Sequence, residues 1–202
     1  MIRPLAIIVS AILMSRPALP PAEATRYAKL LDEEARKHDF DPLTAVAIIH
    51  FESRWQPAAV SPDGEDWGLG QIRARWLGAC RDDADPVNAP SEACKAAKQT
   101  LLVPEVNIRR MASIITANRE LCKEKAGFGD LPHWLAGYEG LSKPARDVWC
   151  KPGPKTWQVV AYRKLLVDTL TKPKKPVAVA KRAAPKGAPP KNAGAPTAQR
   201  RR

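Results

Sequence analysis

The chain has 202 residues, of which 33 are Lys or Arg and 21 are Asp or Glu, so its formal net charge is +12. Such an excess usually points to a nucleic-acid partner, but here it is concentrated at one end. Residues 172–202 hold ten basic and no acidic residues, whereas residues 25–171 hold 21 basic and 20 acidic ones. The nearly neutral central segment argues against a nucleic-acid-binding domain, and no nucleic-acid partner is expected.

The first 24 residues have the pattern of a secretory signal peptide. Arg3 precedes an apolar run from Leu5 to Met14, and Ala22-Glu23-Ala24 places small residues around a cleavage site. A membrane anchor is the competing interpretation, but a spanning helix needs about 20 apolar residues. We therefore predict a signal peptide at residues 1–24, export to the periplasm or the extracellular space, and no transmembrane anchor in the mature form.

Residues 25–171 form one predicted domain, and their apolar spacing is helical without strand alternation. Six main helices are predicted, at 24–37, 41–55, 93–101, 104–125, 131–138 and 156–171, with a short one at 71–77. The segment 56–71 between two of them is rich in Pro, Gly and acidic residues, which is typical of a loop at the wall of a cleft. The fold class predicted is all-α.

Glu52 is the candidate catalytic residue. Asp41-Pro42 is a strong helix start, with Asp as N-cap and Pro in the first turn. Glu52 follows Ile48 and Ile49 by four and three residues, so it continues the apolar face of this helix. Burial and the negative end of the helix dipole both disfavour a charged carboxylate and should raise its pKa, as glycoside-cleaving acids require. The alternative interpretation is an exposed Glu in a last helical turn.

Five short motifs accompany Glu52 in a fixed order along the chain. They are Glu52-Ser53, Ser61-Pro62, Gly68-Leu69-Gly70-Gln71-Ile72, Pro104-Glu105-Val106-Asn107-Ile108 and Ala136-Gly137-Tyr138-Glu139-Gly140. Over about residues 25–171 this order resembles the soluble lytic transglycosylase family, whose lysozyme-like domain cleaves the glycan strands of peptidoglycan. The resemblance implies a lysozyme-like α-helical fold with a catalytic cleft and a peptidoglycan substrate.

The resemblance also assigns roles to individual residues. Glu52 corresponds to the sole catalytic acid/base of the family, whereas Ser61, Gln71 and Tyr138 correspond to residues that orient the acid and hold the sugar. Glu139 stands where the family has Asn, and we expect it to take over as a hydrogen-bonding partner for the substrate. The implied products are 1,6-anhydro-N-acetylmuramic ends, and neither a metal nor an organic cofactor is implied. We expect a monomer.

The chain departs from the family in the glycine turn. Its segment 64–71 is one residue longer than Gly-Ala-x-Gly-Leu-Met-Gln, lacks the Met, and adds Glu65 and Asp66. Gly137 also replaces an Ala before the tyrosine. The additional acids leave open a hydrolysing muramidase in which Asp66, Glu65 or Glu139 serves as second carboxylate. A non-catalytic wall-binding protein is the more distant alternative.

The four cysteines, Cys80, Cys94, Cys122 and Cys150, include no Cys-x-x-Cys pair. Their spacing argues against zinc and favours two disulfides in an oxidising compartment. Three pairings are available, and sequence proximity favours Cys80–Cys94 and Cys122–Cys150.

Residues 172–202 consist mainly of Ala, Pro and Lys, so they cannot bury a core and are predicted to be disordered. They are either a solvated extension without a partner or an electrostatic tether to an anionic surface.

Overall fold

The computed structural model describes residues 3–141 and 148–171. The chain divides into two units, Met1–Lys172 and Pro173–Arg202. The basic tail that the sequence predicts lies outside the described residues.

The described part of the chain is mainly helical, which confirms the predicted all-α class. Its α-helices are α1 Leu5–Ser15, α2 Pro21–Lys37, α3 Pro42–Glu52, α4 Glu92–Thr100, α5 Pro104–Ala126, α6 Leu131–Ala136 and α7 Pro154–Thr171. A small antiparallel hairpin consists of β1 Asp66–Trp67, in the predicted loop, and β2 Ile72–Arg73. The short helix predicted at 71–77 is therefore wrong, since β2 occupies its start and only the 3₁₀ turn Ala74–Trp76 follows. The hairpin was not predicted because strands of two residues are too short for an alternating pattern to show.

Helix α3 lies at the centre of the domain. Residues 42–49 are buried on every side, which is typical of a helix enclosed by other helices. As predicted, Asp41 caps its start, where the carboxylate accepts a hydrogen bond from the backbone N–H of Leu43 at 3.1 Å. The helix ends at Glu52, and Ser53 is its C-cap. The carboxyl of Glu52 is therefore carried by the most enclosed helix of the domain.

Residues of the predicted leader pack onto this centre. Helix α1 buries Ile8 and Ile12 completely, and α2 begins at Pro21, so the predicted cleavage point lies within a helix. The Oγ of Ser15 accepts a hydrogen bond from the indole N–H of Trp55 at 2.7 Å. None of the described helices has the length and apolarity needed to cross a membrane. Cleavage of residues 1–24 stays a prediction about processing.

Two disulfides hold the regions around the core. Cys80–Cys94 joins the segment after the hairpin to α4, and Cys122–Cys150 joins α5 to the segment before α7. Both pairs are the ones that sequence proximity favoured. The second bond matters for the site, because it holds α5 near the chain that leads into α7.

Candidate active site

A cleft lies at the end of α3. It is bounded by the hairpin, the turn after α6 and the first turn of α7, and its lining residues are Glu52, Asp66, Gln71, Arg73, Trp76, Tyr138, Glu139, Gly140 and Lys155. Four predicted site residues are thus brought together: Glu52, Gln71, Tyr138 and Glu139. They come from three separate parts of the sequence.

The carboxyl of Glu52 is largely enclosed, with 12 % of its side chain exposed. Burial is the main influence and raises its pKa, because a charged carboxylate loses its hydration there. The ammonium of Lys155 acts in the opposite direction, and the negative charge of Asp66 adds to the effect of burial. The net direction is a raised pKa, as the position of Glu52 on the helix predicted.

Lys155 is the direct partner of Glu52. Its Nζ lies 2.8 Å from Oε1 and 3.0 Å from Oε2 of the glutamate, so one ammonium contacts both carboxyl oxygens. The lysine belongs to the first turn of α7, and 49 % of its side chain is exposed. This contact stabilises the ionised form of Glu52.

Asn107 on α5 holds the glycine turn that forms one wall of the cleft. Its side chain is fully buried, and its Nδ2 donates to the carbonyls of Trp67 and Leu101 at 2.8 Å each. Its Oδ1 accepts the backbone N–H of Gly70 at 2.7 Å. Asn107 therefore ties the long helix α5 to the glycine turn at the cleft.

Steric contacts explain why positions 68 and 70 of this turn are glycines. Gly68 has a φ of +75°, and a Cβ on it would lie 2.1 Å from the carbonyl oxygen of Leu101. A Cβ on Gly70 would lie 2.8 Å from the hydroxyl of Tyr138 and 3.2 Å from the Sδ of Met111. Gly70 stands where the family has Met, and in this chain Met111 and Tyr138 fill the space beside it.

Tyr138 links two walls of the cleft. Its hydroxyl donates to the carbonyl of Gly70 at 2.6 Å, so the turn after α6 is joined to the glycine turn. Burial raises the pKa of this phenol, with the charges of Glu52 and Asp66 as further causes. The preceding Gly137 is also required sterically, since a Cβ there would lie 2.7 Å from the Oδ1 of Asn118.

Gln71 and Ser61 have different surroundings. Gln71 lines the cleft with a φ of +49°, and its Nε2 donates to the carbonyl of Gly68 at 3.0 Å. Ser61 is not among the cleft-lining residues of the described chain. Its Oγ donates to the carboxylate of Asp63 and accepts the backbone N–H of Asp66 at 2.9 Å. Ser61 thus shapes the loop before the hairpin, and its contact with substrate stays a prediction.

The three additional acids are all engaged by neighbouring groups. Arg73 donates to both carboxylate oxygens of Asp66, at 3.1 Å and 3.3 Å. Glu65 pairs with Arg73 at 3.2 Å and also contacts Arg75. Glu139 accepts a hydrogen bond from the hydroxyl of Thr156 at 2.6 Å on Oε2.

The other oxygen of Glu139 is unusual. Its Oε1 is buried and has no hydrogen-bond partner within residues 3–141 and 148–171. Burial is the main cause that raises the pKa of this carboxyl, while Thr156 and Lys155 lower it and Glu52 raises it further. Glu52, Glu139 and Lys155 therefore form one electrostatic group, because the charge of each influences the others.

Three cleft residues, Arg73, Trp76 and Lys155, were not identified from the sequence. Lys155 is separated from Glu52 by 103 residues, and nothing in the local pattern of α7 distinguishes it from other exposed lysines. Trp76 lines the cleft with 43 % of its surface exposed. The signal available in the sequence was an aromatic residue that follows the glycine turn closely along the chain. By contrast, Trp67 lies outside the lining, and the ammonium of Lys98 sits 5.1 Å from its ring centre.

Comparisons with known proteins agree with this geometry. No curated protein and no solved structure matches the chain significantly. The transglycosylase SLT domain profile matches residues 29–139, which is more than half of the chain and includes Glu52, the glycine turn, Asn107 and Tyr138. The family implies glycan-cleaving transglycosylase activity on peptidoglycan, and two disulfides fit an exported protein. The chain belongs to the transglycosylase SLT domain family.

Proposed function

We propose that this protein is a peptidoglycan lytic transglycosylase that uses Glu52 as its only general acid and base. It cleaves the β-1,4 bond between N-acetylmuramic acid and N-acetylglucosamine and leaves 1,6-anhydro-N-acetylmuramic ends. The observation that carries the proposal is the position of Glu52, whose enclosed carboxyl with a raised pKa faces a cleft walled by the family's turn motifs. A carboxyl kept neutral by its surroundings can donate a proton near neutral pH.

The first half of the reaction breaks the glycosidic bond. Protonated Glu52 donates its proton to the bridging oxygen, which leaves as the hydroxyl of N-acetylglucosamine. The bond from C1 of the muramic residue to that oxygen breaks, and the positive charge at C1 is stabilised by the sugar's own acetamido group. Glu52 is now a carboxylate beside the muramic C6 hydroxyl.

The second half closes the ring without water. The Glu52 carboxylate accepts the proton of the C6 hydroxyl, and the C6 oxygen forms a new bond to C1. Glu52 is protonated again, so the proton balance over one turnover is zero. Gln71 and Glu139 line the same cleft and are proposed to hold polar groups of the sugar, while Tyr138 keeps the two turns together.

The alternative is a hydrolysing muramidase on the same fold. Its support is the negative charge of Asp66, which acts on Glu52 across the cleft. An inverting hydrolase places its two carboxyls about 6.5–9.5 Å apart so that a water fits between them. The paired hydrogen bonds from Arg73 favour a structural role for Asp66, because they occupy the carboxylate that would have to activate the water.

Digestion of purified peptidoglycan in ¹⁸O-labelled water separates the two reactions. A transglycosylase gives muramic ends that have lost one water and carry no label. A hydrolase gives intact muramic ends that carry one ¹⁸O, and that product would reject the proposal. Export to the periplasm or the extracellular space is part of the same proposal, and N-terminal sequencing of the secreted protein tests cleavage after Ala24.

The role of Glu52 is tested by Glu52→Gln, which is nearly isosteric but cannot transfer a proton. General acid–base groups contribute about 10²–10⁴-fold, and a sole acid/base should lie at the upper end of that range. Glu124→Gln is the matched control, because that carboxylate is 69 % exposed on α5 away from the cleft-lining residues. Cleavage of soluble glycan strands by the Glu52→Gln variant at the rate of the control would remove Glu52 from the mechanism.

A further inference from the structure

The contact between Lys155 and Glu52 conflicts with the first step of the proposed reaction. An ammonium at 2.8 Å and 3.0 Å from the two carboxyl oxygens favours the ionised glutamate. A general acid must instead be protonated when it meets the bridging oxygen. Lys155 therefore opposes the burial that raises the pKa of Glu52, and movement of its ammonium away from the glutamate would favour the protonated acid that the reaction needs.

The side chain of Lys155 is able to move away from Glu52. Nearly half of its side chain is exposed, and its flexible four-carbon stem rises from the first turn of α7. The next residue, Thr156, already contacts Glu139 through Oε2. The other oxygen, Oε1, is buried without a hydrogen-bond partner in the described part of the chain. An unpaired buried acceptor is costly, so this oxygen is a ready second position for a cation.

The other groups that face Glu52 have fixed partners. From the hairpin, Asp66 is held by Arg73, and Arg73 in turn contacts Asp66 and Glu65. From the turn after α6, the hydroxyl of Tyr138 donates to a backbone carbonyl. Among the described cleft residues, the cation paired with the catalytic carboxyl itself is Lys155.

We propose that Lys155 is a positioning residue that alternates between Glu52 and Glu139, and this inference rests on the proposed function. In the free enzyme its ammonium pairs with the Glu52 carboxylate. When a glycan strand fills the cleft, the ammonium moves to Oε1 of Glu139, and Glu52 takes up a proton from solvent. Glu139 then serves as the acceptor of a lysine rather than as a base for water. The acid forms only where a glycan is present to receive its proton.

The movement has a signature in the pH profile. The dependence of kcat/KM on pH reports groups of the free enzyme, and activity falls above the pH at which Glu52 loses its proton. Lys155 lowers the pKa of Glu52 in the free enzyme. In Lys155→Met the opposing charge is gone, so burial and Asp66 act alone and the basic limb moves to higher pH. Lys155→Arg keeps the charge, and its basic limb stays with that of the unchanged protein.

A second readout depends on Glu139 as the destination. Glu139→Gln removes the negative charge that receives the ammonium, so kcat on soluble, peptide-free glycan strands falls by about tenfold, a coupling typical of residues in contact. In the Lys155→Met background there is no ammonium to receive. The same Glu139→Gln change should therefore lower kcat by much less in the double variant, and the loss that remains there reports the contact of Glu139 with the sugar.

The outcomes separate this inference from the proposed function. A shifted basic limb in Lys155→Met, together with a Glu139→Gln loss that is several-fold smaller in the double variant, supports the alternating lysine. An unshifted limb, or an equal loss from Glu139→Gln in both backgrounds, overturns it, and the function stands if Glu52→Gln remains inactive. An active Glu52→Gln variant instead rejects the proposed function itself.

Discussion

Replacing Asn107 by alanine removes the side chain that joins α5 to the glycine turn. The three hydrogen bonds lost are those to the carbonyls of Trp67 and Leu101 at 2.8 Å and from the N–H of Gly70 at 2.7 Å. Each buried backbone group left without a partner costs about 1–3 kcal/mol. The low end of that range gives about 3 kcal/mol for the three groups, against about 5–15 kcal/mol for the stability of a whole domain.

Urea unfolding followed by tryptophan fluorescence measures this loss. With a slope of about 1.5 kcal/mol per molar urea, the midpoint should fall by about 2 M. Asn118→Ala is the matched control, because Asn118 lies on the same helix and donates one hydrogen bond, to the carbonyl of Ile114 at 3.0 Å. We expect it to lose about 1 kcal/mol.

Asn107→Ala should also lose activity under conditions in which it remains folded. The turn held by Asn107 carries Gln71 into the cleft and provides the carbonyl that Tyr138 contacts. An Asn107→Ala midpoint no lower than that of Asn118→Ala, with unchanged glycan cleavage, would refute the reasoning that this buried amide supports the cleft wall.

Three further predictions concern other parts of the chain. Trp76→Ala should raise KM for glycan strands more than it lowers kcat, because an exposed indole in the cleft offers a face for a sugar ring. Trp157→Ala is the control, because Trp157 is somewhat more exposed but lies outside the cleft-lining residues, and equal KM values for the two variants would contradict the role of Trp76. Thiol titration of the unfolded, unreduced protein should find no free sulfhydryl. Removing Cys122–Cys150, which closes a loop of 28 residues, should lower the free energy of unfolding by about 3.6 kcal/mol, against about 3 kcal/mol for Cys80–Cys94, which closes 14. Thermal unfolding of the two variants with paired Cys-to-Ala changes checks this order. Deleting residues 172–202 removes ten positive charges, so it should spare cleavage of soluble strands but weaken pelleting with anionic sacculi at low salt. The difference in pelleting should shrink as salt rises, because salt screens exposed charges. Equal pelleting of the truncated and full-length proteins at low salt would reject the tether.

The helical class and the position of the acid could be predicted from local patterns. The cap at Asp41 and the apolar run before Glu52 specify a buried helix by themselves, because helix starts and periodicity depend on residues within a few positions of one another. The disulfide pairs followed from proximity for a similar reason, since each closes a short stretch of chain. The order of the motifs then indicated the family.

Residues 5–15 show a limit of the same reasoning. A basic start followed by a ten-residue apolar run is typical of a signal peptide, and it is equally suited to a helix that covers the apolar side of α3. Composition is the same in both cases. The buried Ile8 and Ile12 and the hydrogen bond from Trp55 to Ser15 become visible only when the helices are packed together.

The arrangement of the site depends on contacts between residues that are far apart in the sequence. Lys155 reaches Glu52 across 103 positions, Tyr138 reaches Gly70 across 68, and Asn107 reaches it across 37. Periodicity says which face of a helix is buried, but it does not say which helix will cross it or which side chain will end there. The sequence alone therefore indicated Glu52 and the turns around it as a candidate site, whereas the packing of α7 against the end of α3 determined that a lysine contacts its carboxyl.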